Sequence, residues 1–169
     1  SLLYTGYCIS NKLIIEQKMR NILTAQPFAF KKFMTTPAPF QNWLWFAVAE
    51  TDSGFYTTYI SVFDNNRDYR LSFFPRNDSL LEQVRDKKEA VKLIRFSQGY
   101  YTLEKNRDTI VINDLRFGQI TGWDNPFYGF SFHYYLQPVT DNKLVVQRGR
   151  FANWNQKTWR TFIRRIRGS

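Results

Sequence analysis

The pattern that decides the fold is Ile112-Asn113-Asp114-Leu115-Arg116-Phe117-Gly118, which ends a run of β-forming residues with a carboxylate and a guanidinium two positions apart. Because side chains alternate between the two faces of a strand, Asp114 and Arg116 are expected on the same face. The spacing predicts either an ion pair that braces the end of a β-hairpin or a site that grips an anionic substrate. The ion pair is favoured, because a buried arginine needs a partner and Gly118 suits a sharp turn.

Strand-like runs on both sides of this stretch predict a mainly antiparallel sheet of about seven strands. A turn at residues 105–107 joins the strand that ends at Asp114 to a strand that begins at Tyr100. The other predicted strands are Trp43–Glu50, Phe55–Phe63, Tyr69–Phe74, Phe127–Gln137 and Lys143–Arg148. Residues 26–40 contain three prolines and predict an extended connector instead.

Helical spacing of apolar residues predicts helices at both ends of the chain. The first is long, from Leu2 to about Ala25, and one or two shorter helices follow between residues 77 and 96, where Asp86 and Glu89 have capping-box spacing. The last is basic, with Trp159, Phe162, Ile163 and Ile166 on one face. We therefore expect an α+β fold in a single soluble domain spanning residues 1–169.

The charge of the chain favours partners that carry phosphate. The 24 Lys and Arg residues against 14 Asp and Glu residues leave a formal charge of +10, which suits nucleic acid or an anionic membrane surface. The predicted surface contacts for such an anion are Arg160, Arg164, Arg165 and Arg167. An anionic lipid surface ranks above nucleic acid, because no recognition motif is present and the aromatic residues fall inside predicted strands. Cys8 is the single cysteine, which excludes an internal disulfide and favours a reduced setting.

No complete catalytic or metal-binding motif is present in the sequence. His133 and Cys8 are too far apart to start a usual zinc ligand set, and His133 alternates with aromatic residues as an ordinary strand side chain. Four carboxylates near predicted strand ends could converge on a divalent ion, but the sequence does not fix their distances. They are Glu50, Asp64, Asp114 and Asp124. We predict no metal or other cofactor in this chain.

Two further pairs are candidates for contacting a ligand through stacking or hydrogen bonds. Asn42 lies three residues before Trp45, and Tyr100 is followed by Tyr101. Residues of these types more often anchor a loop and fill a core, and that interpretation is favoured for both pairs.

Several spaced pieces of the sequence together resemble a known family. They are Asn11-Lys12, Thr36-Pro37-Ala38-Pro39-Phe40-Gln41-Asn42-Trp43-Leu44-Trp45, Ala49-Glu50-Thr51, Phe96-Ser97-Gln98-Gly99-Tyr100-Tyr101 and Asp114-Leu115-Arg116-Phe117-Gly118. Their order and spacing resemble the C-terminal soluble region of bacterial inner-membrane proteins of the YdjM/YbcI type, which are described as predicted membrane-bound metal-dependent hydrolases. The resemblance covers roughly residues 8–137.

The resemblance implies a longer parent protein, whose membrane-embedded part precedes this domain and holds the metal-binding His and Asp residues. Residues 1–25 would then continue a membrane helix, and a divalent metal would belong to the parent protein. Positive charge at Lys12, Lys18 and Arg20 favours the cytoplasmic side of the inner membrane. We expect an accessory domain that serves substrate access, assembly or regulation. The alternatives are a self-sufficient hydrolase or ligand-binding domain centred on Asp114 and Arg116, and a module that binds anionic lipid or nucleic acid.

Overall fold

The computed structural model describes residues 2–65, 69–136, 144–146 and 154–168. In chain order the elements are α1 (Leu2–Thr24), β1 (Lys32–Pro37), β2 (Leu44–Glu50), β3 (Gly54–Ser61), β4 (Ser72–Pro75), a 3₁₀ turn (Asp78–Gln83), α2 (Lys87–Phe96), β5 (Tyr101–Asn106), β6 (Thr109–Gln119), β7 (Phe130–Leu136), β8 (Leu144–Val146) and α3 (Gln156–Ile166). The predicted strands at Phe127–Gln137 and Lys143–Arg148 extend at their ends beyond the described residues.

The α+β class, the long N-terminal helix and the antiparallel pairing of the strands are confirmed. The expectation of one continuous sheet is wrong, because the strands form two sheets with orders β1-β2-β3-β4 and β5-β6-β7-β8. The first sheet stops at β4, a strand of four residues that ends in Pro75, whose ring nitrogen has no hydrogen to donate to a further strand. The chain then forms the 3₁₀ turn and α2 before β5 begins a second sheet.

The first sheet is covered on both faces, and this explains why every residue of β2 is buried. On one face, Ile15, Met19 and Leu23 of α1 pack against alternate residues of β2. On the other face, the core includes Leu115 of β6 and Phe162 of α3. The first sheet therefore lies between α1 and a layer formed by the second sheet and α3.

The sequence prediction missed β1. The segment 26–40 was expected to be an extended connector, yet Lys32–Pro37 pairs along its whole length with β2, from Lys32 opposite Glu50 to Pro37 opposite Trp45. A proline is tolerated at the end of an edge strand, and backbone pairing needs no alternating pattern of side chains. Composition therefore gave no signal for this strand.

The predicted start of α2 at Asp86 is confirmed, because the Glu89 backbone N–H donates to Asp86 Oδ1 at 3.0 Å, which is the N-cap half of a capping box. Asn155 starts α3 in the same way by accepting from the Thr158 backbone N–H at 2.9 Å. None of the helices in the described ranges is both long enough and apolar enough to cross a membrane.

Candidate functional site

Asp114 and Arg116 form a closed, two-pronged ion pair on one face of β6. Arg116 Nη2 lies 2.7 Å from Asp114 Oδ2, and Arg116 Nε donates to Asp114 Oδ1 at 3.0 Å. The Asp114 side chain is fully buried and the Arg116 side chain is 15% exposed. The hydrogen bond with Asp114 raises the pKa of Arg116, which keeps the guanidinium charged.

The Asp114–Arg116 pair is enclosed by neighbouring side chains of the protein. The Arg116 guanidinium lies over the ring of Phe96 at the end of α2, 4.8 Å from its centre, and over the ring of Phe117 at 5.3 Å. The register of β6 against β7 shifts between Asp114 and Gln119, so the pair sits at a β-bulge. The arrangement suits a brace between α2 and the irregular end of β6, which is the interpretation that the sequence favoured.

Gly118 lies in the same irregular part of β6, in a left-handed backbone conformation. Its backbone has φ 70°, and a Cβ added there would lie 3.4 Å from the Phe46 side chain. Phe46 belongs to β2, and a contact at 3.4 Å is ordinary, so the positive φ is what favours glycine at this position.

Tyr100 and Tyr101 are both buried at the start of β5, where they join the two sheets. The Tyr101 hydroxyl donates to Asp78 Oδ1 at 2.6 Å. The Lys32 ammonium of β1 lies over the ring of Tyr100, 4.4 Å from its centre. Burial, with a smaller effect of the Glu50 charge, raises the pKa of Tyr100 to about 12. Neither ring lies on an open surface where it could stack on a ligand.

Glu50 is the centre of the same junction, a role that the sequence did not reveal. Arg76 Nη2 lies 2.7 Å from its Oε1, and Lys32 Nζ lies 3.3 Å from its Oε2. Lys32 also donates to the carbonyl of Gln98 at 2.9 Å, in the turn after α2. Glu50 thus connects β2 to β1 and to Arg76 after β4, and through Lys32 to the turn after α2. The sequence singled out Glu50 only as a candidate carboxylate and as part of the resembling piece Ala49-Glu50-Thr51.

Asn42 and Trp45 anchor the loop 38–43 to α1. Asn11 Nδ2 donates to the Asn42 carbonyl at 2.9 Å, and the indole N–H of Trp45 donates to the same oxygen at 3.3 Å. Lys12 Nζ donates to Thr35 Oγ1 at 2.6 Å and lies 5.4 Å from the centre of the Trp45 ring. These contacts favour the predicted structural role for both residues.

A second hub joins α1, the end of β3 and α3. Arg165 pairs with Asp64 at 2.6 Å and 2.9 Å, and the Ser61 hydroxyl donates to the Ile166 carbonyl. Lys18 Nζ donates to the carbonyls of residues 61, 62 and 64 at distances of 2.8–3.0 Å. Burial lowers the pKa of Lys18. Arg165 is turned inward by its ion pair, whereas Arg160, Arg164 and Arg167 are exposed on α3.

The four candidate carboxylates do not gather at one point, although Asp64 and Asp124 line the same cavity. Glu50, Asp64 and Asp114 each pair with a different arginine, and Asp124 is exposed. Across residues 2–65, 69–136, 144–146 and 154–168 there is no group of three or more His, Cys, Asp or Glu side chains that could hold a metal ion. His133 is buried in β7 with its ring edge-on to Tyr135, 5.3 Å between the ring centres.

A cavity of about 630 Å³ lies between β3, the loop after β6 and α3. Its size suits a small ligand, and Thr57, Ser72 and Trp123 contribute to its wall. Five charged residues also line it. Asp64 and Arg165 pair with each other, and the other three are Arg70, Asp124 and Arg164. Because Arg70, Asp124 and Arg164 are exposed to solvent, the cavity offers volume and charge but not a water-excluded catalytic centre.

The most unusual described surface is the first part of α1. Leu2 and Leu3 are 87% and 91% exposed, and Tyr4, Tyr7 and Ile9 are also exposed. The first charged residue of the chain is Lys12, and the first buried residue of α1 is Asn11. Residues 2–10 thus form an uncharged, largely apolar helical segment whose large side chains are exposed, and Tyr7 contacts the domain through a hydrogen bond from the indole N–H of Trp43.

Comparisons with known proteins leave the family open. No protein-family model, no curated protein and no solved structure matches this chain.

Proposed function

We propose that this chain is the accessory domain of a bacterial membrane-bound metal-dependent hydrolase, of the kind that its spaced motif pieces resemble. Catalysis would belong to a membrane-embedded part of the same parent chain, together with any divalent metal. The domain would lie on the cytoplasmic side of the inner membrane and serve substrate access, assembly or regulation. The observation that carries this proposal is the exposed, uncharged segment at residues 2–10 of α1.

Such a segment is costly to leave in water. Covering a large apolar side chain gains about 1.5–3 kcal/mol, so Leu2, Leu3 and Ile9 together would gain about 5 kcal/mol in an apolar environment. Tyr4 and Tyr7 suit the boundary between lipid and water, because their rings are apolar and their hydroxyls are polar. The segment has the composition expected of a helix that enters a membrane or packs on one.

The remainder of α1 is built to hold the domain firmly to that segment. Ile15, Met19 and Leu23 are buried against the first sheet, and Asn11 and Lys18 are bonded to backbone carbonyls at its edge. A straight helix gains 1.5 Å per residue, so residues 2–10 would extend about 13 Å as a rigid lever. The domain would then be held at a fixed distance from the membrane-embedded part of the parent chain, and not by a flexible linker.

The accessory role is supported by the state of the candidate catalytic groups. Asp114, Glu50 and Asp64 are each neutralised by an arginine and take part in the contacts that join the layers of the fold. A carboxylate that acts as base or metal ligand has to face its substrate or ion. In this arrangement the three carboxylates serve the scaffold.

The proposal is tested by measuring the size, the membrane association and the activity of the native gene product. An antiserum raised against this chain should detect, in membranes of the source cells, a protein larger than 20.3 kDa that detergent extracts but high salt does not. After immunopurification in detergent, that protein should hydrolyse a general phosphatase or esterase substrate with dependence on divalent metal. A product of about the size of this chain in the supernatant would overturn the proposal. So would metal-dependent activity of the isolated chain that Asp114→Asn abolishes.

A further inference from the structure

Four segments of the fold meet at one end of the first sheet. Leu44 pairs with Ser61, and the Val62 backbone N–H donates to the Trp43 carbonyl at 2.8 Å, so loop 38–43 lies beside the end of β3. The hydroxyl of Ser61 binds the last turn of α3. At the same end, the indole N–H of Trp43 donates to the hydroxyl of Tyr7 of α1 at 2.5 Å.

This end carries exposed aromatic side chains. Phe40 is 86% exposed and lies in a left-handed backbone conformation with φ 62°, which is unfavourable for a large side chain. Phe63 is 50% exposed and Trp43 is partly exposed. The strained loop therefore exposes an aromatic ring. The same loop contacts the uncharged part of α1 through Trp43 and Tyr7.

The same end is positively charged through the last turns of α3. Arg164 and Arg167 are exposed and line a common stretch of surface with Trp159 and Ile163. Arg165, between them, is turned inward to Asp64. Arginines interleaved with exposed apolar residues are typical of surfaces that lie in the lipid headgroup region, where rings enter the acyl boundary and guanidinium groups bind phosphate. We call Phe40, Trp43, Phe63, Arg164 and Arg167 the exit edge.

We propose that the exit edge rests on an anionic bilayer surface, with Phe40 and Phe63 at the level of the headgroups and Arg164 and Arg167 bound to lipid phosphates. The inference deepens the proposed function and takes from it the membrane attachment of α1. Nucleic acid would also attract the arginines, but it would leave unexplained why the exposed Trp43 contacts the apolar part of α1 through Tyr7. A domain attached through α1 alone could still rotate about the axis of that helix. Contact at the exit edge would fix this rotation and so the tilt of the domain on the membrane.

The experiment measures binding of the chain to phosphatidylcholine vesicles with and without about one third phosphatidylglycerol. Binding should be stronger to the vesicles that contain the anionic lipid, and this difference should shrink as salt is added. Arg164→Gln with Arg167→Gln should reduce affinity about thirtyfold, at about fivefold for each arginine. Lys87→Gln with Lys88→Gln removes the same charge from exposed positions on α2 and should change affinity less than about twofold.

The aromatic part is tested by Phe40→Asn, because asparagine tolerates the left-handed backbone. Affinity should fall about tenfold, whereas Phe127→Asn should leave it within about twofold. Phe127 is also strongly exposed but contacts Phe74 near the opposite end of the first sheet. Every variant retains residues 2–10, so binding by α1 is common to all of them, and equal unfolding temperatures would show that the variants are folded.

The inference would be overturned if the chain did not bind the anionic vesicles, or if all variants bound them equally. It would also be overturned if the double arginine variant lost binding to a short DNA duplex but bound the vesicles as well as the unchanged chain does. Failure here is separable from failure of the proposed function. A native product that is an integral membrane protein, combined with vesicle binding that ignores these substitutions, would remove the exit edge alone. A native product found in the supernatant, combined with the expected vesicle pattern, would remove the hydrolase assignment alone.

Discussion

Substitution Asp114→Asn should destabilise the protein strongly, because it leaves a guanidinium without its counter-charge in a mostly buried place. Removing one partner of a buried pair costs about 3–5 kcal/mol. Arg116 retains some exposure, with 15% of its side chain accessible, so we expect the lower end, about 3 kcal/mol. For a domain of this size that loss is a large share of a total of about 5–15 kcal/mol and should lower the unfolding temperature by about 10 °C.

The assay is urea unfolding followed by the fluorescence of the five tryptophans. A double variant, Asp114→Asn with Arg116→Met, removes the unpaired charge and should recover part of the loss, since an apolar side chain can pack on Phe96. Asp52→Asn is the surface control, because the Asp52 side chain is 93% exposed although it pairs with Lys31 at 2.9 Å. Surface pairs contribute little, so its unfolding midpoint should barely move.

Two results would refute the structural role of Asp114. If Asp114→Asn and Asp52→Asn shift the unfolding midpoint equally little, burial of the pair does not matter for stability. If Asp114→Asn abolishes an activity of the parent protein without changing its stability, the carboxylate acts in chemistry.

Three further substitutions test other parts of the fold. Gly118→Ala should cost about 1–2 kcal/mol in urea unfolding, because alanine is strained at φ 70°. Lys18→Met removes donors from three carbonyls, so amide exchange in residues 61–64 should accelerate, while Lys87→Met, at an exposed position, should leave it unchanged. The pKa of Tyr100 is raised from 10.0 to about 12, so its contribution to stability is present below pH 10 and is lost as the pH rises to about 12. The urea midpoint should fall across that interval, and it should fall less in Tyr100→Phe; equal slopes would contradict the role assigned to this tyrosine.

Local patterns in the sequence predicted the parts of the fold that local chemistry decides. The alternation of β6 placed Asp114 and Arg116 on one face, and the spacing of Asp86 and Glu89 located the start of α2. Features that depend on distant partners could not be predicted. The pairing of β1 with β2 uses backbone groups, and the division into two sheets follows from where β4 ends. Glu50 has no local signal for its role, because its partners Lys32 and Arg76 are distant in sequence and reach it only in the folded chain.

The residues that carry the family resemblance make contacts between different elements of the fold. Asn11 and Asn42 join α1 to the loop before β2, Glu50 and Tyr100 join the two sheets, and Arg116 joins β6 to α2. Each of these contacts joins two different elements of the fold. A sequence pattern that serves catalysis would gather its residues around one reacting atom, whereas this pattern holds separate layers in register from α1 to α2. That distribution favours a domain whose task is to keep a fixed geometry relative to its attachment, as the proposed accessory role requires.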